Sequence, residues 1–125
     1  MKGTAHLTVG KLGEAMAQEY LKKQGYKIVT RNYRTKRGEI DIIAEKKGCL
    51  VFIEVRTKVG ERFGTPEETL NWKKRRKLLG NAKAYVAYHR YLGPYRVDAV
   101  CIVLSDGITQ ERLKHYENIC PEPSQ

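Results

Sequence analysis

The stretch GEIDIIAEKKGCLVFIEVRTK, residues 38–58, holds two β-type runs, Ile40 to Glu45 and Leu50 to Thr57, separated by Lys46, Lys47, Gly48 and Cys49. That connection has the length and composition of a hairpin loop, so the runs should pair antiparallel. Side chains alternate along a strand, which puts Glu39 and Asp41 on one face of the first run and Phe52, Glu54, Arg56 and Lys58 on one face of the second. If the register lets Asp41 and Glu54 share a face, two carboxylates stand on strands ~4.8 Å apart, within common reach of one hard cation that prefers oxygen ligands. Such a cation polarises a phosphodiester and lowers the pKa of a bound water. The same spacing equally serves solvent-facing acids balanced by Arg56.

N-terminal to this stretch, Leu12, Ala15, Met16 and Tyr20 recur at helical spacing, which predicts a helix over about residues 8–24, with Gly25 at the left-handed stop. Glu14 falls beside the apolar stripe of that helix and is a candidate third oxygen ligand at the sheet edge. Tyr26, Ile28 and Val29 open a short strand, and Arg31 to Arg37 reads as its polar end plus a turn. No acid occurs between Lys22 and Arg37, so Arg31, Arg34, Lys36 and Arg37 are candidates for phosphate contact.

C-terminal to it, Thr65-Pro66-Glu67-Glu68 combines an N-cap, a proline at the first helical position and a glutamate three residues after the cap. This predicts a second helix from there to about Arg90, with Leu70, Leu78, Ala82, Tyr85, Val86 and His89 on one stripe and Gly80 weakening it by ~1 kcal/mol. Lys74 lies midway between Leu70 and Leu78 on that inward stripe, where a lysine either snorkels or pairs with a carboxylate beneath the helix. Lys73, Lys74, Arg75, Arg76 and Lys77 form an unbroken cationic run that must partly face solvent, which makes Lys73, Lys74, Arg75 and Lys77 further phosphate candidates. Beyond the break at Gly93-Pro94, Arg96 to Leu104 is a largely apolar strand with one buried-type charge, Asp98. Asp106-Gly107 turns into a last strand around Ile108 to His115. The order of elements predicts one mixed sheet flanked by two helices, a single domain over residues 1–120 with a polar tail at 121–125.

With 125 residues, 41% hydrophobic and 30% charged, the composition is that of one ordinary globular domain. The formal charge of +10, from 24 Lys plus Arg against 14 Asp plus Glu, makes phosphate backbones the first partner to consider. The longest apolar run, Ala99 to Leu104, is far short of the ~20 residues that span a bilayer, and no signal-peptide stretch opens the chain, so a soluble, cytoplasmic protein without membrane partners is expected. Cys49, Cys101 and Cys120 are too widely spaced for a disulfide framework or a zinc site and read as reduced, structural thiols. His6, His89 and His115 are equally scattered and read as surface or core-edge residues. Tyr85, Tyr88, Tyr91 and Tyr95, around the end of the second helix, either stack unpaired bases or complete the core edge.

Taken in order, Gly13-Glu14, Ala17, Tyr20-Leu21, Gly25-Tyr26, Arg31-Asn32, Gly38-Glu39-Ile40-Asp41-Ile42-Ile43, Val51-Phe52-Ile53-Glu54-Val55-Arg56, Gly64-Thr65-Pro66, Lys74, Lys77-Leu78 and Arg96-Val97-Asp98 run through nearly the whole chain. In these motifs the chain resembles the YraN-like proteins, a bacterial group in the restriction-endonuclease-like, or PD-(D/E)xK, nuclease superfamily. The resemblance implies an α/β (α+β) fold with a mixed central β-sheet flanked by helices, similar to Holliday-junction resolvases. It also implies a metal site on the second and third strands, with Asp41 matching the superfamily aspartate, Glu54 the first residue of its acid-x-lysine element and Glu14 a helix-borne acid. Arg56 stands where the superfamily usually has lysine. An arginine stays charged and steadies phosphate but is a poor base, so Lys58 or Lys74 is left to supply the ammonium that assists the water.

The expected function is therefore a Mg2+- or Mn2+-dependent nuclease acting on DNA, branched or single-stranded forms included, in repair or recombination. The alternative is a catalytically inactive DNA- or RNA-binding accessory protein on the same fold, and a scaffold for an acidic protein is a remote third. Related resolvases are dimers, which makes a homodimer the oligomer to consider.

Overall fold

The computed structural model describes residues 8–121 of the chain, so His6 and the tail from residue 122 onward lie outside the described residues. Helix α1, Val9–Lys23, is capped by Thr8, whose hydroxyl accepts from the Lys11 amide. It is followed by β1, Lys27–Thr35, β2, Gly38–Lys46, and β3, Cys49–Val59. After a short 3-10 turn at Glu67–Thr69 come α2, Trp72–Tyr88, β4, Tyr95–Leu104, and β5, Gln110–Tyr116. The strands form one mixed sheet in the order β1-β2-β3-β4-β5, with β3 and β4 parallel and the other neighbours antiparallel. The mixed sheet with a helix on each face is the architecture the sequence predicts.

The hairpin is tighter than its composition indicates. Lys46 already pairs with Cys49, leaving Lys47 and Gly48 as a two-residue loop with both φ angles positive, 51° and 77°. The second helix starts later than expected. The Thr65–Glu68 capping box forms, with reciprocal bonds of 3.2 Å, but it closes only the 3-10 turn. Leu70 then leaves helical geometry at ψ 51°, and Asn71 caps α2 by accepting from the Lys74 amide. Two caps in series thus let the chain bend before α2 sets off. The basic run 31–37 is also more regular than expected. It continues β1 to Thr35 as an edge strand, whose cations and Ile28/Thr30 irregularity discourage pairing with another sheet.

The core has two layers. On one face α1 buries Ala17 and Leu21 against Ile42, Val51, Ile53, Val100, Ile102 and Leu104. On the other, Leu78 and Ala82 of α2 cover Ile43, Phe52 and Val97. Each large aliphatic side chain among these contributes about 1.5–3 kcal/mol. Val97–Leu104 is buried throughout, as befits a strand covered on both faces. Within it Asp98 is fully buried on the α1 side, and its carboxylate accepts from Arg96 at 3.0 and 3.2 Å and from the Asn118 amide at 2.9 Å. His115 Nε2 lies 2.7 Å from Asp98 Oδ2, and its Nδ1 lies 2.9 Å from the Tyr20 hydroxyl, so this network ties α1 to β4 and β5. Among the described residues all three cysteines are free thiols. Burial pushes Cys101 up to about 12, which suits an inert, structural role.

The approach of α1 to β3 is set by Gly13, which is buried against Thr57. A Cβ at residue 13 would collide with Thr57 Oγ1 and lie 2.9 Å from Thr57 Cβ. Gly13→Ala should therefore destabilise the fold by about 1–3 kcal/mol in urea or thermal unfolding, overriding its better helix propensity. Gly10→Ala, in the same helix with nothing nearer than 4.0 Å, should instead stabilise by about 0.5–1 kcal/mol. Burial raises the Asp98 pKa, but the bonds from His115 and Arg96 outweigh it and hold the carboxyl below its usual 3.8. Its contribution is thus present above pH ~4 and lost as pH falls through the lowered value. Asp98→Asn should cost about 3–5 kcal/mol at neutral pH, because it strands Arg96 and His115.

Candidate active site

β2 and β3 are paired only from Lys46↔Cys49 to Ile42↔Ile53. The next pair in that register would be Asp41 with Glu54, and there the strands part. A backbone amide freed from a ladder needs another acceptor, and Asp41 Oδ2 provides it, taking the Val55 N–H at 2.8 Å. The fork opens a cleft of about 410 Å³, within the range of ligand pockets. Glu14 from α1, Glu39 and Asp41 from β2, Glu54 and Arg56 from β3, and Lys74 from α2 all line it.

One carboxylate oxygen each of Glu14, Glu39 and Asp41 lies within 4.8 Å of the other two. Asn32, on β1 with a left-handed φ of 51°, donates to Glu14 Oε1 at 3.1 Å and to Glu39 Oε1 at 3.5 Å, fixing both acids. Lys11 adds an ion pair to Glu14 at 3.6 Å. Glu54 is buried to 6% exposure and stands beside this trio, its Oε2 3.3 Å from both Lys74 Nζ and Arg56 Nη1. Arg56 is held in turn by a 2.7 Å bond from its Nε to Thr69 Oγ1. Burial pushes the Asp41 carboxyl up, the Glu54 charge and a hydrogen bond shared with Glu54 push the same way, and the Val55 amide opposes them. The result is a carboxyl pushed up to about 8, well above the usual carboxylate range.

Of the residues singled out in the sequence, Glu14, Asp41, Glu54, Arg56 and Lys74 meet in one cleft. Lys74 uses its inward position to pair with Glu54, while Lys73, Arg75, Arg76 and Lys77 are exposed. Lys77 also reaches the cleft wall, and Lys58 does not line it. Arg34, Lys36 and Arg37 stand at the tip of the β1–β2 hairpin, next to the cleft mouth at Gly38 and Glu39. Arg31 lies farther back along β1 and donates to Gln18. The sequence places Glu39 on the Asp41 face but assigns it no role. Alternation was its only signal, and its meeting with Glu14 depends on a helix-to-strand distance that sequence does not give.

Residues 13–102 match the Uncharacterised protein family UPF0102. A UPF0102 protein of Carboxydothermus hydrogenoformans is 44% identical over 115 residues, 89% of this chain and 93% of that protein. Another, from Caldanaerobacter subterraneus subsp. tengcongensis, is 38% identical over 120 residues, 94% of this chain and 98% of its own length. A third, from Herpetosiphon aurantiacus, is 40% identical over 119 residues, covering 91% of this chain and 94% of its own. Among solved structures, a chain of the EndoMS–dsDNA2 complex aligns with a TM-score of 0.50 at 14% identity, over 86% of this chain and 42% of that one. The likeness is one of fold, which is α+β and restriction-endonuclease-like. The matched segment takes in α1 from Gly13, both forked strands, α2 and most of β4. On that match and those relatives, the chain belongs to the UPF0102 family, the YraN-like proteins.

Proposed function

We propose that this protein is a divalent-metal-dependent nuclease that hydrolyses phosphodiester bonds in DNA. The observation that carries this reading is the convergence of the Glu14, Glu39 and Asp41 carboxylates within 4.8 Å in a cleft walled by Lys74 and Arg56. The donor set fits a hard cation, because it is all oxygen, and a proton held up to about 8 on Asp41 marks negative charge in need of a counter-charge. Glu14, Glu39 and Asp41 would hold Mg2+ or Mn2+, with Glu54 adjoining. When bound, the ion supplies Lewis-acid polarisation of a phosphoryl oxygen and a more acidic water.

The chain's own residues do the rest. Lys74, anchored on Glu54, presents an ammonium where charge grows on the phosphoryl group and positions the attacking water. Arg56, tied to Thr69 and Glu54, fixes the Glu54 carboxylate and steadies phosphate, and its permanently protonated guanidinium leaves the base role to others. The exposed cations of the β1–β2 hairpin and of α2 receive the strand's phosphates. The DNA in the EndoMS complex, on a related fold, agrees with this partner. No helix among the described residues is long and apolar enough to cross a membrane.

Purified protein with Mg2+ or Mn2+ should cut at least one of linear, single-stranded and four-way-junction DNA. Asp41→Asn and Glu54→Gln should each lower the rate by at least about 100-fold, and Lys74→Ala by about 10- to 100-fold. Salt-sensitive binding with no cleavage of any substrate, unchanged in the two acid variants, would assign the protein to the non-catalytic accessory role instead. The raised Asp41 pKa gives a second readout. Between pH 3.8 and about 8 the folded protein holds a proton that the unfolded chain has lost, so this group makes metal-free stability fall as pH rises through that window. Asp41→Asn should therefore melt higher than wild type at pH 8–9 in EDTA, with the gap closing towards pH 5. The increase in Tm on adding Mn2+ should grow with pH over the same window in wild type and be absent in Asp41→Asn.

A further inference from the structure

We propose that the groove between the β1–β2 hairpin and the C-terminal half of α2 holds an unpaired segment of the nucleic-acid strand, its phosphates on Arg34 and Lys36 and a base on Tyr88. The inference deepens the nuclease reading and rests on it for the direction in which the strand runs, from the groove to the acid cleft.

Arg34, Lys36, Arg37, Tyr33, Tyr85 and Tyr88 face one another across this groove of about 450 Å³. The same hairpin cations line a shallower trough with Gly38 and Glu39, and those two residues also line the acid cleft. A single surface track therefore leads from the tyrosines past the cations to Asp41. The groove is built rather than incidental. Thr35 Oγ1 lies 3.2 Å from Asn81 Oδ1 and pins the hairpin to α2, and the Arg37 guanidinium lies so close over Gly80 that a Cβ there would be 3.2 Å from Nη1. The glycine that weakens α2 thus lets the Arg37 guanidinium lie close against the helix. Tyr33 and Tyr85 meet edge to face at 5.0 Å, and Tyr85 stacks on His89 at 4.0 Å, forming a rigid floor. Tyr88 touches that floor only through an edge-to-face contact with His89 at 5.1 Å and is otherwise 80% exposed.

Cations alone would suit any phosphate backbone. An exposed aromatic ring beside them selects unpaired bases, because in a duplex each base face is already covered by its neighbours, whereas single strands offer theirs to tyrosine. The track thus suits substrates with a single-stranded arm or tail next to the cleaved bond.

The test is fluorescence anisotropy with the full chain in EDTA, so that no cutting intervenes, using a labelled dT strand of about 15 nucleotides. The same measurement is made on a matching rU strand, an abasic strand of equal length and a blunt duplex. Tyr88→Ala should weaken the dT strand about tenfold and Tyr88→Trp should restore it, with abasic and duplex binding unchanged. Arg34→Ala and Lys36→Ala should each lower the slope of log affinity against log salt by about 0.7. A stronger Tyr88 effect on rU than on dT would name RNA as the source of the strand. Wild-type affinity of Tyr88→Ala for both strands, or an equal loss on the abasic strand or the duplex, overturns the proposal. Tyr88-dependent binding without any metal-dependent cleavage would leave the groove standing and remove the nuclease reading. Cleavage that depends on Asp41, with Tyr88→Ala binding as wild type does, would do the reverse.

Discussion

The Val55 amide is the point on which the site depends. At Ile42↔Ile53 the β2–β3 ladder ends, and a buried N–H without an acceptor would cost about 1–3 kcal/mol. The Asp41 carboxylate removes that cost at 2.8 Å and so allows the strands to part. The parting is what makes room for Glu14 and Lys74 to enter from opposite faces of the sheet. One side chain therefore both opens the cleft and supplies its central acid. An amide in its place keeps an oxygen for Val55 and separates these two duties.

Asp41 and Asp98 show how environment divides work between a half-buried and a fully buried aspartate. Asp98 has a guanidinium, an imidazole and a backbone amide around it and is held ionised, with its bonding capacity used up in joining α1, β4 and β5. Asp41 has one amide, and burial, helped by the charges of Glu54 and Glu14, holds its carboxyl well above the usual carboxylate range. The first arrangement satisfies a charge, and the second leaves one waiting for a partner. The second is the pattern expected of an acid that works on a ligand, which is the role proposed above for Asp41.

Much of this was legible in residue order because it rests on short periods. Alternation over 38–58 allows Asp41 and Glu54 to share a face once the register is given, and a 3.6-residue period puts Lys74 on the inward side of α2, where the choice between snorkelling and pairing with a carboxylate is left to the structure. What was hidden depends on distances between elements. The trio with Glu39 needs α1 to lie close to β3, which Gly13 permits but does not announce. The Thr65–Glu68 box is a true cap, yet sequence cannot show that Leu70 breaks the turn it starts and that Asn71 starts another. The β1 edge was obscured by its charges, since a basic run reads as a turn until a neighbouring strand is seen to pair with it.

The crossover from β3 to β4 imposes an order on how the molecule comes together. The β1–β3 meander closes through loops of a few residues, whereas the parallel pairing joins Leu50 to Tyr95 and Val59 to Leu104 and must wait for the whole of α2 to be laid across the sheet. On loop-closure cost alone, Asp41 and Glu54 are expected to meet before Lys74, the ion-pair partner of Glu54, is brought in by the crossover. Until then Glu54 has only Arg56, two residues along its own strand and 3.3 Å away, to offset its charge.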